Sequence, residues 1–178
     1  MDGVIADVET QFIKWYERDY HVKVLPQELL GLSEMEAFPD KKAVRKFVCT
    51  PGFFRTVPVM KGAVNAVKKL MDHYEVYIVS AAMEFPLSLS EKLEWLNEHF
   101  PFISWRNIIF CGDKSIINTD FMIDDHIKNL DTFRGTTIMF NAFHNINYSH
   151  HTRANNWQEI LSILQVETEG STGVGARD

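Results

Sequence analysis

The chain has 178 residues, a formal net charge of −6, and hydrophobic and charged fractions of 46% and 24%, which suit one soluble domain with a small insertion. The acidic balance excludes a broad basic surface for DNA or RNA, although a local lysine or a metal can still hold a small anion. Two cysteines, Cys49 and Cys111, form neither a disulfide framework nor a C-x-x-C metal spacing and read as buried or half-buried thiols. Charged residues run through positions 1–20 and no apolar stretch reaches the length of a membrane span, so the expected setting is cytoplasmic.

In chain order, Val8, Phe12, Trp15 and Tyr16 recur on one helical face and predict a helix over Val8–Tyr20, with Asp7 as its cap. Residues 25–57 carry two early prolines, a short helical run at 41–48 and the turn Thr50-Pro51-Gly52-Phe53-Phe54, which reads as an inserted helical cap. Residues 61–72 form an amphipathic helix with Val64, Val67, Leu70 and Met71 in phase, and 76–79 a short buried strand. A helix at 90–100 aligns Leu93, Leu96 and Phe100. Strand-like runs follow at 107–111 and 120–123, then a short helix at 128–133, a strand at Thr136–Phe140 and a closing helix at 156–164. Alternating strands and helices predict an α/β fold with a parallel sheet flanked by helices on both faces, whose ligands bind at the carboxyl ends of the strands. The tail is Gly-rich and polar, and 166–178 is expected to be disordered.

Those strand ends carry polar groups. Asp2 opens a Gly-containing turn, Ser80 closes the run at 76–79 ahead of Ala81, Lys114 follows 107–111, and Asp124-Asp125 closes 120–123. Singly, each has a plainer reading: a turn or cap for the Asp pair, a cap for Ser80, a solvated lysine for Lys114. Together they suggest phosphoryl transfer through a metal. Adjacent carboxylates call for a hard cation such as Mg²⁺, and a hydroxyl, free N–H groups and an ammonium suit phosphate oxygens. His144, His150 and His151 lie near each other in a polar, Asn-rich stretch; a transition-metal site is one reading and a solvated loop the preferred one.

The segments MDGVIADV (1–8), PGFFRTVPVMKGA (51–63), IVSAAMEFP (78–86), EKLEWLNEHFPFISW (91–105), FCGDKSII (110–117) and MIDDHIKNL (122–130) resemble the 5'(3')-deoxyribonucleotidases of the haloacid dehalogenase superfamily. The resemblance covers nearly the whole chain. It implies a Rossmann-like core (1–24 and 57–165), a helical cap (25–56), and a Mg²⁺-dependent phosphatase acting on nucleoside monophosphates as small-molecule partners, with a homodimer admitted. Carried over by position, Asp2 is the general acid/base and its carbonyl a metal ligand. Ser80 and the Ala81 N–H hold phosphate, Lys114 binds phosphate and steadies the nucleophile, and Asp124 and Asp125 serve the metal, one directly and one through water. Val8, Phe53 and Phe54 fall in the nucleoside pocket, with cap core as the other reading of the two phenylalanines.

The resemblance places the nucleophilic aspartate two positions before Asp2, after a central apolar strand, and neither is in the chain. Four or five large apolar side chains lost from such a strand remove roughly 6–15 kcal/mol, against a whole-domain stability of about 5–15 kcal/mol. The expectation is therefore a native start further upstream and impaired turnover in the chain as written. The alternatives are an inactive nucleotide- or phosphate-binding relative, or a phosphatase for another phosphomonoester.

Overall fold

The computed structural model describes residues 1–166; the expected disorder of 167–178 lies outside the described residues. Val166, counted with the tail on sequence, is instead buried, its N–H donating to Leu161 O at 2.9 Å.

The first six residues make a tight turn rather than a strand. The carbonyl of Met1 accepts from the N–H groups of Val4, Ile5 and Ala6, and Gly3 supplies the positive φ of 67° that the turn requires. Helix α1 (Val8–Tyr20) has its predicted bounds. Asp7 caps it, Oδ1 accepting from Thr10 N at 3.0 Å and Oδ2 from Thr10 Oγ1 at 2.8 Å. Residues 25–56 hold a 3₁₀ turn (Pro26–Leu29) and helix α2 (Ala43–Val48). Their aromatic side chains pack on α1: Phe38 stacks on Tyr16 at 4.9 Å, and Phe47 meets Trp15 edge-on at 5.7 Å. The segment thereby shares one apolar cluster with the rest of the chain.

Helix α3 (Ala63–Met71) buries Ala63, Ala66, Val67 and Leu70, while Met71, placed on the apolar face by its spacing, is exposed. Strand β1 (Ile78–Ser80) leads into helix α4 (Leu87–His99), which starts three residues earlier than its apolar pattern suggests. The buried face of α4 is Ser88, Lys92, Trp95 and Leu96, and Leu93 points out. Strand β2 (Ile108–Phe110), strand β3 (Phe121–Asp124), the single-turn helix α5 (Ile127–Leu130), strand β4 (Thr136–Phe140), strand β5 (Thr152–Ala154) and helix α6 (Trp157–Ile163) complete the order. Of these β5 has no counterpart in the sequence reading.

All strand pairs are parallel, in two sheets rather than one: β1 with β2, and β3-β4-β5. Between them runs a groove of about 820 Å³, walled on one side by Tyr77–Val79 and on the other by Phe121–Ile123, with Trp157 also lining it. Trp157 Nε1 donates to Val4 O at 2.9 Å, and the Met1 amino group to Val79 O at 3.2 Å, so the opening turn is moored to both sides. Cys111 is buried, but Cys49 is exposed, which corrects the expectation for that thiol: it follows α2 at the surface. Among the described residues no helix is long and apolar enough to cross a membrane.

Candidate active site

Ser80 ends β1 and Asp124 ends β3, in separate sheets, and the opening turn touches both: Asp2 meets Ser80 and Gly3 meets Asp125. Gly3 lies so near Asp125 that a Cβ there would collide with the Asp125 carboxylate. This contact brings Asp2 to Asp124-Asp125 despite more than a hundred intervening residues.

Two ion pairs organise the site. In the first, Lys92 Nζ donates to Asp2 Oδ2 at 2.7 Å and to Ser80 Oγ at 3.1 Å, while Ser80 Oγ lies 3.2 Å from the same Asp2 oxygen. Burial works against the Asp2 carboxylate, but the Lys92 ammonium and the amino terminus overcome it and bring its pKa down to about 2. Asp2 is thus ionised at neutral pH, a state that suits a base or a cation ligand; donating a proton first requires an approaching anion to raise its pKa. Its Oδ1 is buried and has no hydrogen-bond partner.

In the second pair, Lys114 Nζ donates to Asp124 Oδ2 at 2.6 Å. Lys114 sits in a 3₁₀ turn (Lys114–Ile116) capped by Asp113, whose Oδ1 accepts from Ser115 N at 2.9 Å. Burial opposes the Lys114 charge, yet Asp124 more than offsets it and raises its pKa. Asp124 Oδ1 accepts from His126 N and Asn129 Nδ2, both at 2.9 Å, and Lys114 holds the carboxyl below the usual range against its burial.

Asp125 contrasts with its neighbour. It is buried, and its nearest cationic candidates are His144 Nε2 at 3.6 Å and His126 Nε2 at 3.7 Å. Burial pushes its carboxyl up; His126 pulls the other way, and the charge of Asp124 adds to the rise. A carboxylate this poorly compensated, close to Gly3, and the orphaned Asp2 Oδ1 next to Gly3 in the chain are chemically suited to a hard divalent cation. The carboxylate oxygens in the site are those of Asp2, Asp125 and, less freely, Asp124, and donor atoms of Asp125, His126 and His144 lie within 4.8 Å of one another.

The structure therefore brings Asp2, Ser80, Lys114, Asp124 and Asp125 together, with Ala81 half-buried directly after Ser80. It does not gather the three apolar positions equally. Phe53 is sealed in the aromatic cluster, 4.9 Å from Phe12 and 5.2 Å from Trp15, and Val8 is buried at the start of α1. Phe54 alone of the three touches the ion-pair network, its ring 4.3 Å beneath Lys92 Nζ.

Lys92 is the main residue that sequence reasoning missed. Its one signal is the stripe Ser88-Lys92-Leu96, a lysine four residues from each of two buried positions. The adjacent Glu91 was missed as well: Oε1 accepts from Gly52 N at 2.6 Å and Oε2 from Phe54 N and Arg55 N at 3.0 Å, which anchors the turn carrying Phe54. The solvated-loop expectation fails for His144. It stacks on His126 at 4.5 Å and is held 3.2 Å from Asp125 O, while Asn145, fully buried, donates to the same carbonyl at 2.8 Å.

Residues 1–169 match the family model described as "5' nucleotidase, deoxy (Pyrimidine), cytosolic type C protein". The chain is similar to the 5'(3')-deoxyribonucleotidase of Bacillus subtilis strain 168, 50% identical over 160 residues that cover 90% of this chain and 92% of the relative. The 5'(3')-deoxyribonucleotidase of Bacillus phage SPbeta matches with the same identity and coverage. With a family model spanning nearly its full length and relatives at this identity, the chain belongs to the 5' nucleotidase, deoxy (pyrimidine), cytosolic type C family.

Proposed function

We propose that the chain carries the phosphate and metal site of a Mg²⁺-dependent phosphatase of (deoxy)nucleoside 5'- or 3'-monophosphates, in which an aspartate two positions before Asp2 attacks phosphorus to form an aspartyl-phosphate as the nucleoside alkoxide leaves. The observation that carries this reading is the meeting of Asp2 with Ser80, of Lys114 with Asp124, and of Gly3 with Asp125 around the opening turn, with Asp2 Oδ1 left without a partner. Family membership supports the reaction class.

In this reading Asp125 and Asp2 would hold Mg²⁺, and Asp124, engaged by Lys114 and Asn129, would serve it less directly. Bound Mg²⁺ supplies neutralisation of the phosphoryl oxygens. Ser80 Oγ and the N–H of Ala81 orient the phosphate, and Lys114 turns part of its charge toward it. Asp2 exchanges protons with the leaving alkoxide and then with water; the incoming phosphate raises its pKa enough for the first of these steps. Residues 25–56 act as a cap over a core formed by 1–24 and 57–165, and Phe54 presents its outer edge to the nucleoside.

The test is phosphate release, by the chain extended upstream to include the attacking aspartate, from a panel of deoxy- and ribonucleoside monophosphates and sugar phosphates, with Mg²⁺ and with a chelator. Mg²⁺-dependent release that favours nucleoside monophosphates and falls in Asp2→Asn is expected. Release that is indifferent to Mg²⁺, or equal for sugar phosphates, overturns the reading.

A further inference from the structure

We propose a second metal site, for a divalent transition ion of the zinc type, formed by Asp131, His150 and His151. It is independent of the carboxylates described above. Oδ1 of Asp131 lies 2.9 Å from His150 Nε2 and 2.9 Å from His151 Nε2, and the three atoms lie within 4.8 Å of one another. Two imidazoles and one carboxylate aimed at a common point are the donor set that zinc, nickel, cobalt and copper take in preference to Mg²⁺.

The spacing is close to what an ion needs. Metal bonds of about 2.0–2.1 Å at tetrahedral angles separate neighbouring ligand atoms by about 3.3 Å, so the two nitrogens need only withdraw a few tenths of an ångström from the carboxylate.

The site also has a supporting group. Thr137 Oγ1 lies 2.8 Å from His151 Nδ1. When the His151 proton resides on Nδ1, the threonine oxygen accepts it and Nε2 is left with its lone pair toward Asp131, which is how ligating histidines are usually oriented. Without an ion, Nε2–H of His150 and of His151 donate to Asp131 and keep its carboxyl below the ordinary range; an ion would take the place of those two protons. The His150 and Asp131 side chains are 54% and 49% exposed, leaving an entry path and room for water as a fourth ligand, while His151 is 10% exposed and fixed.

Its place in the fold gives it a role. Asp131 ends α5, Thr137 lies near the start of β4, and His150-His151 immediately precede β5. Thr137 pairs with Met122, two residues before Asp124, so the cluster sits toward the amino ends of the strands. An ion there staples the α5–β4 turn to the connection between β4 and β5, the strand with the weakest apolar pattern.

The experiment is a calorimetric titration of the whole chain with zinc in saturating Mg²⁺, paired with a Co²⁺ titration followed by visible absorption. One zinc equivalent per chain and a tetrahedral-type Co²⁺ spectrum are expected. His150→Ala, a change at an exposed side chain, and Asp131→Asn should each remove that equivalent, and Thr137→Val should weaken it about 10–100-fold. Absence of a zinc equivalent in the wild-type chain, or an equivalent that survives both His150→Ala and Asp131→Asn, overturns the proposal.

Discussion

Replacing Lys92 by methionine tests the ion pair at the centre of the site. The substitution keeps an unbranched apolar stem over Phe54 and removes the ammonium 2.7 Å from Asp2 Oδ2 and 3.1 Å from Ser80 Oγ. Removing one partner of a buried pair costs about 3–5 kcal/mol, because the other charge is left uncompensated. Here the Lys92 side chain is 4% exposed but that of Asp2 is 32% exposed, so water recovers part of the loss and about 2–4 kcal/mol is expected. The pair also carries a pH signature. Asp2 titrates near 2 in the fold, below an unfolded carboxylate, so its stabilisation is fully present above about pH 4 and is lost as pH falls through about 2. In Lys92→Met the acid-side loss should begin at higher pH, since burial then acts on Asp2 without its main opposing charge. Urea unfolding of the wild type, Lys92→Met, Asp2→Asn and the double variant, across an acidic-to-neutral series, measures both effects. The double variant should recover stability relative to the sum of the singles. A Lys92→Met loss below about 0.5 kcal/mol, or a coupling energy within about 0.5 kcal/mol of zero, would refute the pairing argument.

Other outcomes follow from the same geometry. Asp125→Asn removes a buried, poorly compensated carboxylate; in chelator it should leave thermal stability unchanged or higher, and Mg²⁺ should raise the melting temperature of the wild type but not of this variant. A Mg²⁺ response that persists in this variant would show that Asp125 does not hold the ion. Gly3→Ala combines a positive φ of 67° with a collision at Asp125, and should cost about 1–3 kcal/mol in chemical denaturation and displace the opening turn. Glu91→Gln exchanges a carboxylate oxygen for an amide among three N–H donors, so a loss of about 1–3 kcal/mol is expected, with faster proteolysis within the 51–56 turn.

Much of the local structure was legible because it is written in local periodicity. The spacing of Phe12, Trp15 and Tyr16, with Asp7 as cap, defines α1 to the residue, and Thr136–Phe140 is a strand as expected. The short β5 escaped because Thr152-Arg153-Ala154 offers no apolar alternation; backbone pairing with β4 makes it a strand. Leu93 misled because a heptad-like apolar spacing cannot say which of two faces a site will claim, and Lys92 takes the buried one. His144 read as solvated from its Asn-rich neighbours, whereas burial of Asn145 draws the segment onto Asp125.

By itself the sequence determined that Ser80 and Asp124 close strands, and that Asp2, Lys114 and Asp125 stand in turns, in the order Asp2, Ser80, Lys114, Asp124 and Asp125. Short-range backbone geometry sets where strands stop, and apolar runs expose those stops. Only the tertiary structure decided how these groups share charge. Lys92 stands 90 residues from Asp2 in the chain and 2.7 Å from it in space, and Asp125 remains short of a cation while its neighbour Asp124 is satisfied by Lys114. Such pairings depend on distances between elements remote in sequence and on how much water each charge retains, and neither quantity is encoded in local pattern.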